Sequence, residues 1–162
     1  MTGTQRSILI STTLRQIAAQ AIANLGLVFT SLIHRMDFDF LREAFFLLRR
    51  DGAPGVSGIT VKDYAKDLEA KLADLYKRLV AGTYKAPPIK RVWIDQDNGK
   101  KRPIGLTEIE DKIVQKAVSM RMGAVYEQDF LSTSYGFREG RNAHDALAYL
   151  RAQCRTHGIR WI

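Results

Sequence analysis

Cysteine is nearly absent from the sequence, since Cys154 is the only one among 162 residues. This scarcity excludes a disulfide framework and a zinc site built on cysteines. We expect Cys154 to be a small core residue of a protein in a reducing compartment. Histidine is also scarce, and His34, His144 and His157 lie too far apart to share a metal-ligand spacing. We therefore predict no metal site in this chain.

Long apolar runs are missing as well. No stretch of about 18 uncharged apolar residues occurs, so no membrane-spanning helix is expected. The opening segment, Met1 to Ser11, lacks the apolar region of a signal peptide, which predicts a cytoplasmic location. Catalytic patterns are also absent: there is no paired-carboxylate motif, no Cys/His dyad and no Gly-x-Ser-x-Gly elbow. We assign no catalytic residue.

Positive charge is what the sequence has in excess. Lysine and arginine number 25 against 17 aspartates and glutamates, which gives a net charge of +8. This excess indicates a polyanionic partner, either nucleic acid or an anionic membrane surface, unless the chain is merely a basic soluble protein. The hydrophobic fraction of 46% is enough for a buried core and excludes a mainly disordered chain.

Apolar periodicity predicts several helices and one hairpin, which together make an α+β fold. Ser11-Thr12-Thr13 is expected to cap the first helix, and Ala143, Ala146, Leu147 and Leu150 of the last helix are expected to face inward. A strand is expected to begin at Ile159, so the chain would end inside an element. The helices are predicted from about Leu14 to Ile33, Phe40 to Arg50, Thr60 to Gly82 and Glu108 to Tyr126, with a fifth after Asn142.

The segment from Lys85 to Arg102 has the densest positive charge, with six cations and two acids. Asn98-Gly99 predicts a hairpin turn between strands at 89–94 and 100–106. A two-residue turn would pair Asp97 with Lys100, Asp95 with Arg102 and Trp93 with Ile104. Such a basic hairpin could follow a phosphate backbone and stack a base, or it could be an edge protected by solvated lysines.

Two arginines, Arg138 and Arg141, precede the helix that Asn142 is expected to cap. Guanidinium groups beside a helix N-terminus form an anion site by charge and by backbone dipole together. The alternative is a structural loop in which these arginines pair with Glu139 and Asp145.

Asp51 to Thr60 is a glycine-rich loop that must turn tightly or approach something closely, and it lacks the Gly-Lys-Ser/Thr of a P-loop. This loop is the first of three characteristic segments, which are DGAPGVSGIT, APPIKRVWIDQDNGKKRPIGLTEIEDKIVQKAV and YEQDFLSTSYGFREGRNAHDAL. Together they resemble one family, the group II intron-type reverse transcriptases. The similarity covers roughly Thr12 to Ile162.

The resemblance implies the fingers and the first palm edge of a right-hand polymerase that copies RNA into DNA. Residues 1–60 would be N-terminal helices and the glycine-rich loop, 61–158 the fingers helices and basic hairpin, and 159–162 the start of a palm strand. The family's Mg²⁺-binding palm aspartates are expected after Ile162. The 162-residue chain is therefore expected to be inactive alone.

The resemblance also assigns residue roles in the hairpin. Arg102 matches the arginine that clamps the triphosphate of the incoming nucleotide, while Gln96 stands where the family has a lysine. Either Lys100 or Lys101 substitutes for that lysine, or nucleotide binding is weakened. Asp95, expected opposite Arg102, would hold that arginine in a salt bridge.

Other positions are expected to bind nucleic acid, namely Lys90, Arg91, Arg138, Arg141, Gly55 and Gly58. The sequence departs from the family pattern at Ser57, where the glycine-rich loop usually has an aspartate. The implied partners are an RNA template or RNA/DNA hybrid, intron RNA and, for the full enzyme, a deoxynucleoside triphosphate. Two alternatives remain: a non-catalytic module that binds structured RNA, and a homodimer formed through the palm-facing surface.

Overall fold

The computed structural model describes residues 3–158 except 25, 31 and 33–35. The described residues form an α+β fold, as the sequence predicts, with six helices and one two-stranded antiparallel sheet. The expected strand at 159–162 lies outside them. The elements are α1 (Gly3–Ala23), α2 (Phe38–Phe46), α3 (Val61–Ala65), α4 (Leu68–Val80), β1 (Lys90–Asp95), β2 (Lys101–Leu106), α5 (Ile109–Tyr126) and α6 (Ala143–Thr156).

The first helix begins much earlier than its sequence predicts. It starts at Gly3 rather than Leu14, so Ser11-Thr12-Thr13 lies inside α1 and does not cap it. A hydroxyl side chain marks a helix start only where the backbone at that residue is extended, and here the preceding residues are already helical.

The first helix also ends before the expected position. After Ala23, Asn24 Oδ1 accepts the backbone N–H of Gly26 at 3.1 Å. Such a local side-chain bond offers the backbone an alternative to the helix and favours its termination. The expected end at Ile33 lies outside the described residues.

Side-chain caps define the starts of the next two helices. Asp37 Oδ1 accepts the N–H of Phe40 at 2.8 Å at the start of α2. Thr60 and Asp63 form a reciprocal capping box at the start of α3, in which Thr60 Oγ1 accepts the N–H of Asp63 at 3.2 Å. The single helix predicted after Thr60 is divided, because Asp67 leaves the helical region (φ −126°, ψ 40°) between α3 and α4.

One hydrophobic core joins α2, α3, α4 and α5. Ala44 of α2 and Ala117 of α5 are fully buried, and their small side chains allow close packing in this core. The cluster draws on residues both before and after position 60. Its largest fully buried side chains are Phe40, Leu41, Leu72, Leu75, Ile109 and Ile113.

The hairpin register differs by one residue from the prediction. Trp93 lies opposite Pro103 rather than Ile104, and Asp95 lies opposite Lys101 rather than Arg102. A two-residue type I′ turn needs positive φ at both central residues. Here Gly99 alone has positive φ (73°) among the turn residues, and its N–H donates to the Gln96 carbonyl at 2.9 Å. The turn therefore has three residues.

The last helix has the predicted cap but no buried face. Asn142 Oδ1 accepts the N–H of Asp145 at 2.9 Å, as expected. None of the α6 side chains is buried, and Leu147 is 63% exposed. The prediction that its apolar residues face inward is therefore wrong, because periodicity identifies an apolar stripe but not a partner for it.

Two further expectations concern the whole chain. Cys154 in α6 is only partly buried, so its expected place in the core is wrong.

Across the part of the chain that the structure describes, no helix has the length and apolar character needed to cross a membrane.

The capping box gives a test of the fold. Thr60→Ala should lower the free energy of unfolding by about 1 kcal/mol, because the N–H of Asp63 loses its acceptor. Thr60→Ser keeps the hydroxyl and should retain most of the stability. Urea unfolding measures both variants, and equal stability of the alanine variant and the unaltered chain would contradict the capping role.

Candidate nucleic-acid interface

The stem of the hairpin is attached to the core by a buried carboxylate. Asp111, in the first turn of α5, is 6% exposed. It accepts hydrogen bonds from the Tyr84 hydroxyl at 3.1 Å and from Gln115 Nε2 at 2.6 Å. Partial burial and the Asp111 carboxylate raise the pKa of Tyr84, because both disfavour the charged phenolate. Tyr84 precedes the hairpin and Asp111 follows it, so the pair closes its stem.

A second carboxylate of α5 attaches the helix to α4. Glu110 accepts from the Arg78 guanidinium at 2.8 Å, and Arg78 also contacts Asp74 at 2.8 Å. The Tyr64 hydroxyl reaches Glu110 at 3.4 Å, and burial together with Glu110 raises the pKa of that phenol. These contacts connect α3 and α4 to the start of α5.

The glycine-rich loop is a compact turn lying against α5. Gly55 donates to the Ile59 carbonyl at 2.9 Å, and Gly58, with φ of 81°, donates to the Gly55 carbonyl at 3.0 Å. Gly55 is buried, and a Cβ there would collide with the Glu108 carboxylate. The geometry thus explains these two glycines by turn formation and close approach, and their contact with nucleic acid stays a prediction.

Ser57 holds this loop to the N-cap of α5. Its N–H and its hydroxyl donate to the two Glu108 carboxylate oxygens at 2.7 and 2.8 Å. Lys112 adds a bond from its ammonium to the Ala53 carbonyl at 2.8 Å. The family's usual aspartate at position 57 would place a second carboxylate against Glu108, so the serine suits this particular loop.

The four positions assigned to nucleotide binding lie around the hairpin tip, where their side chains are exposed. Gln96 N–H donates to the Lys100 carbonyl at 2.8 Å, and Lys101 approaches Asp95 at 3.8 Å between two highly exposed side chains. Arg102 lies opposite Ile94 in the ladder. The expected salt bridge between Asp95 and Arg102 is therefore wrong, because the one-residue shift pairs Asp95 with Lys101.

The two positions at the other end of β1, Lys90 and Arg91, are also exposed. They lie opposite Leu106 and Gly105, next to the stem of the hairpin. Basic side chains therefore occupy both ends of a solvent-exposed ribbon.

Arg138 is engaged within its own loop. Its guanidinium donates to Glu127 Oε1 at 2.6 and 2.9 Å and to the Leu131 and Ser134 carbonyls at 3.0 and 2.9 Å. Its side chain is 7% exposed. The pairing holds the pKa of the Glu127 carboxyl below its usual range. The structural alternative expected Glu139 and Asp145 as partners, whereas for Arg138 the acid is Glu127, eleven residues earlier.

Arg141 makes fewer contacts with carbonyl groups than Arg138. It donates to the Ser132 carbonyl and lies over the Tyr135 ring at 5.1 Å. Tyr135 in turn approaches Tyr149 of α6, with ring centroids 6.2 Å apart. The predicted contact of Arg138 and Arg141 with nucleic acid stays a prediction.

Sequence reasoning missed one feature of this loop. Phe137 has a left-handed backbone conformation (φ 59°), and its side chain is fully exposed. Bulky residues rarely adopt positive φ, and no residue type in the segment signals that one will do so here.

A protein metal site needs several ligating side chains close together. Among the residues that the structure describes, no group of three or more His, Cys, Asp or Glu side chains is arranged to hold a metal ion. The described residues therefore do not fit the Mg²⁺ site expected for a full-length polymerase, and we assign no step to a metal in this chain.

The chain is similar to proteins encoded within introns. It is 38% identical to protein YkfC of Escherichia coli (strain K12) over 112 residues, covering 67% of this chain and 29% of that protein. It is 30% identical to group II intron-encoded protein LtrA of Lactococcus lactis subsp. cremoris over 154 residues, covering 91% of this chain and 25% of LtrA. An uncharacterized 91 kDa protein in the cob intron of Schizosaccharomyces pombe is 42% identical over 60 residues, covering 37% of this chain and 7% of that protein. No protein-family model matches the sequence.

These similarities agree with the three sequence segments that resemble intron-type reverse transcriptases. The chain belongs to the family of intron-encoded proteins of the reverse transcriptase and maturase type. It spans between 25 and 29% of the length of the first two relatives.

The contact between Ser57 and Glu108 can be tested by moving the side-chain donor from position 57 to position 108. Ser57→Asp should lower the free energy of unfolding by about 2 kcal/mol, because hydrogen bonds to a carboxylate contribute roughly 1.5–3 kcal/mol each before solvent exposure weakens them. Adding Glu108→Gln to Ser57→Asp should restore most of the loss, since the amide can donate to the new carboxylate. Urea unfolding measures each variant, and a double variant as unstable as Ser57→Asp would refute the pairing.

Proposed function

We propose that the chain is the template- and nucleotide-binding fingers region of an RNA-directed DNA polymerase. The observation that carries this proposal is the basic hairpin, exposed along both strands, with the partly buried contact between Tyr84 and Asp111 at its stem. A ribbon with accessible cations can hold a polyanion.

The tip of the hairpin suits a triphosphate. Arg102 and Lys100 supply charged donors within a short distance along the chain, and Arg102 adds a planar fork that matches phosphate oxygens. Gln96 contributes a neutral amide where the family has a lysine. In the longer protein, Mg²⁺ held by palm aspartates would supply the polymerisation chemistry. The residues described here would bind and orient the nucleotide.

The base of the hairpin and Arg141 suit the template RNA. Lys90 and Arg91 are exposed, and the guanidinium of the partly buried Arg141 lies above the Tyr135 ring. Phosphate contacts of this kind provide affinity without reading sequence, as a template-copying protein requires. The RNA partner proposed is the template or its DNA hybrid, with intron RNA as a further partner, in the cytoplasm.

A second candidate function is a maturase-like module that binds structured RNA without polymerising. The similarity to a group II intron-encoded protein supports it. The two functions differ in nucleotide binding, because only the polymerase fingers need to hold a triphosphate at Arg102.

The homodimer predicted from the sequence stays a proposal. Leu147 of α6 and Leu131 in the preceding loop are 63 and 74% exposed, which leaves apolar surface for a second copy. The solution mass of the chain tests this.

The RNA proposal is tested by charge reversal in the hairpin. The double substitution Lys90→Glu and Arg91→Glu should weaken binding of a single-stranded RNA by about tenfold or more. It should also flatten the dependence of log Kd on log salt by roughly 0.7 for each lost phosphate contact. Reversing two exposed lysines on helices, Lys62→Glu and Lys77→Glu, is the matched control. Equal effects of the two pairs, or binding insensitive to salt, would contradict the proposal.

The nucleotide proposal is tested at Gln96. Gln96→Lys should tighten binding of a deoxynucleoside triphosphate by about tenfold, because a charge-assisted hydrogen bond contributes about 1.5 kcal/mol. Arg102→Ala should weaken it. Equilibrium binding of a fluorescent triphosphate measures both. An unaltered affinity in both variants would remove the triphosphate role and favour the RNA-binding module.

A further inference from the structure

The register of the hairpin separates its residues into two different faces. Side chains alternate along each strand, and residues paired across the ladder share a face. One face mixes cations with aliphatic side chains, and the other carries the indole. The first face comprises Lys90, Val92, Ile94, Arg102, Ile104 and Leu106. The second, here called the tryptophan face, comprises Arg91, Trp93, Asp95, Lys101, Pro103 and Gly105.

The centre of the tryptophan face is apolar and accessible. Trp93 is 55% exposed and lies directly opposite Pro103. Proline has no N–H, so its position belongs to a pair without ladder hydrogen bonds, where facing side chains approach most closely. The neighbouring Gly105 adds no side chain, and a Cβ there would collide with Ile89. The indole thus faces Pro103 across the ladder and is open to solvent.

Cations flank this aromatic surface on both sides. Arg91 lies on the same strand two residues before Trp93, and Lys101 lies across the ladder two residues before Pro103. Lys101 approaches Asp95 at 3.8 Å, but both side chains are more than 65% exposed. Ion pairs of this kind are weak and screened by salt, so Lys101 stays available to another anion.

We propose that Trp93 is a base-stacking site for single-stranded RNA, with Arg91 and Lys101 holding the adjoining phosphates. This inference rests on the proposed function and adds to it a residue and a face distinct from the Arg102 face. Stacking needs an uncovered base face, which a single strand offers and the interior of a duplex does not. The flanking charges favour a nucleic acid over an apolar protein surface.

Tryptophan fluorescence tests the stacking directly. The chain has two tryptophans, so Trp161→Phe leaves Trp93 as the sole indole. Titration with an oligouridylate of about 12 nucleotides should quench the Trp93 emission, because a stacked base quenches indole. A blunt RNA duplex should bind with much less quenching. Uridine triphosphate is the third ligand, and quenching by it at concentrations as low as those of the oligouridylate would show a mononucleotide site and overturn the proposal.

Substitutions on the two faces provide the matched comparison. Trp93→Ala should weaken oligouridylate binding by about tenfold, while Trp93→Phe should retain most of the affinity because it keeps an aromatic face. Ile94→Ala, at a similarly exposed position on the other face, should change the affinity by less than about twofold. Equal losses from Trp93→Ala and Ile94→Ala would overturn the proposal, and the fluorescence titration decides it if a variant fails to fold.

Failure of this inference differs from failure of the proposed function. If the chain binds oligouridylate with a steep salt dependence while Trp93 emission is unchanged, the stacking site is wrong and RNA binding stands. If the unaltered chain binds no RNA at low salt, both are wrong.

Discussion

The N-terminus of α5 is the constraint on which the rest of the structure depends. Within five residues, four side chains attach three different segments. Glu108 accepts hydrogen bonds from Ser57 of the glycine-rich loop, and Glu110 accepts one from Arg78 of α4. Asp111 accepts a hydrogen bond from Tyr84 at the hairpin stem, and Lys112 donates one to the Ala53 carbonyl of the glycine-rich loop. Ile109 and Ile113 of the same helix are buried in the core, so the helix that makes these polar contacts is itself fixed by core packing.

This attachment matters because the hairpin cannot stabilise itself. An isolated two-stranded ribbon is only marginally stable in water, and in this ribbon just Val92 and Leu106 are even partly buried. The same lack of burial leaves its side chains free for a ligand. The hydrogen bond between Tyr84 and Asp111 attaches the stem to the core and leaves the tip exposed. Binding residues on a rigid support lose less entropy when a ligand arrives.

The sequence predicts the two helix caps that depend on nearby residues, whereas it does not predict contacts with residues distant along the chain. The Thr60–Asp63 box and the Asn142 cap each involve residues three apart, and both were predicted. The apolar stripe of α6 was recognised, but no local pattern reveals whether another element covers it. The sequence predicts that Arg138 binds an anion or pairs with Glu139 and Asp145, yet its acidic partner is Glu127 at the C-terminus of α5.

The hairpin shows how much a small local ambiguity can decide. An Asn-Gly pair fits a two-residue turn and also a three-residue turn with glycine in the left-handed position, and the two differ by one residue of register. A one-residue slip moves every side chain of one strand to the opposite face. In the two-residue arrangement Arg102 would share a face with Trp93 and be paired with Asp95. In the observed arrangement the acid faces Lys101, and Arg102 and Trp93 are on opposite sides of the ribbon. A single ribbon thereby presents two chemically different surfaces, one for each of the two binding sites that we propose.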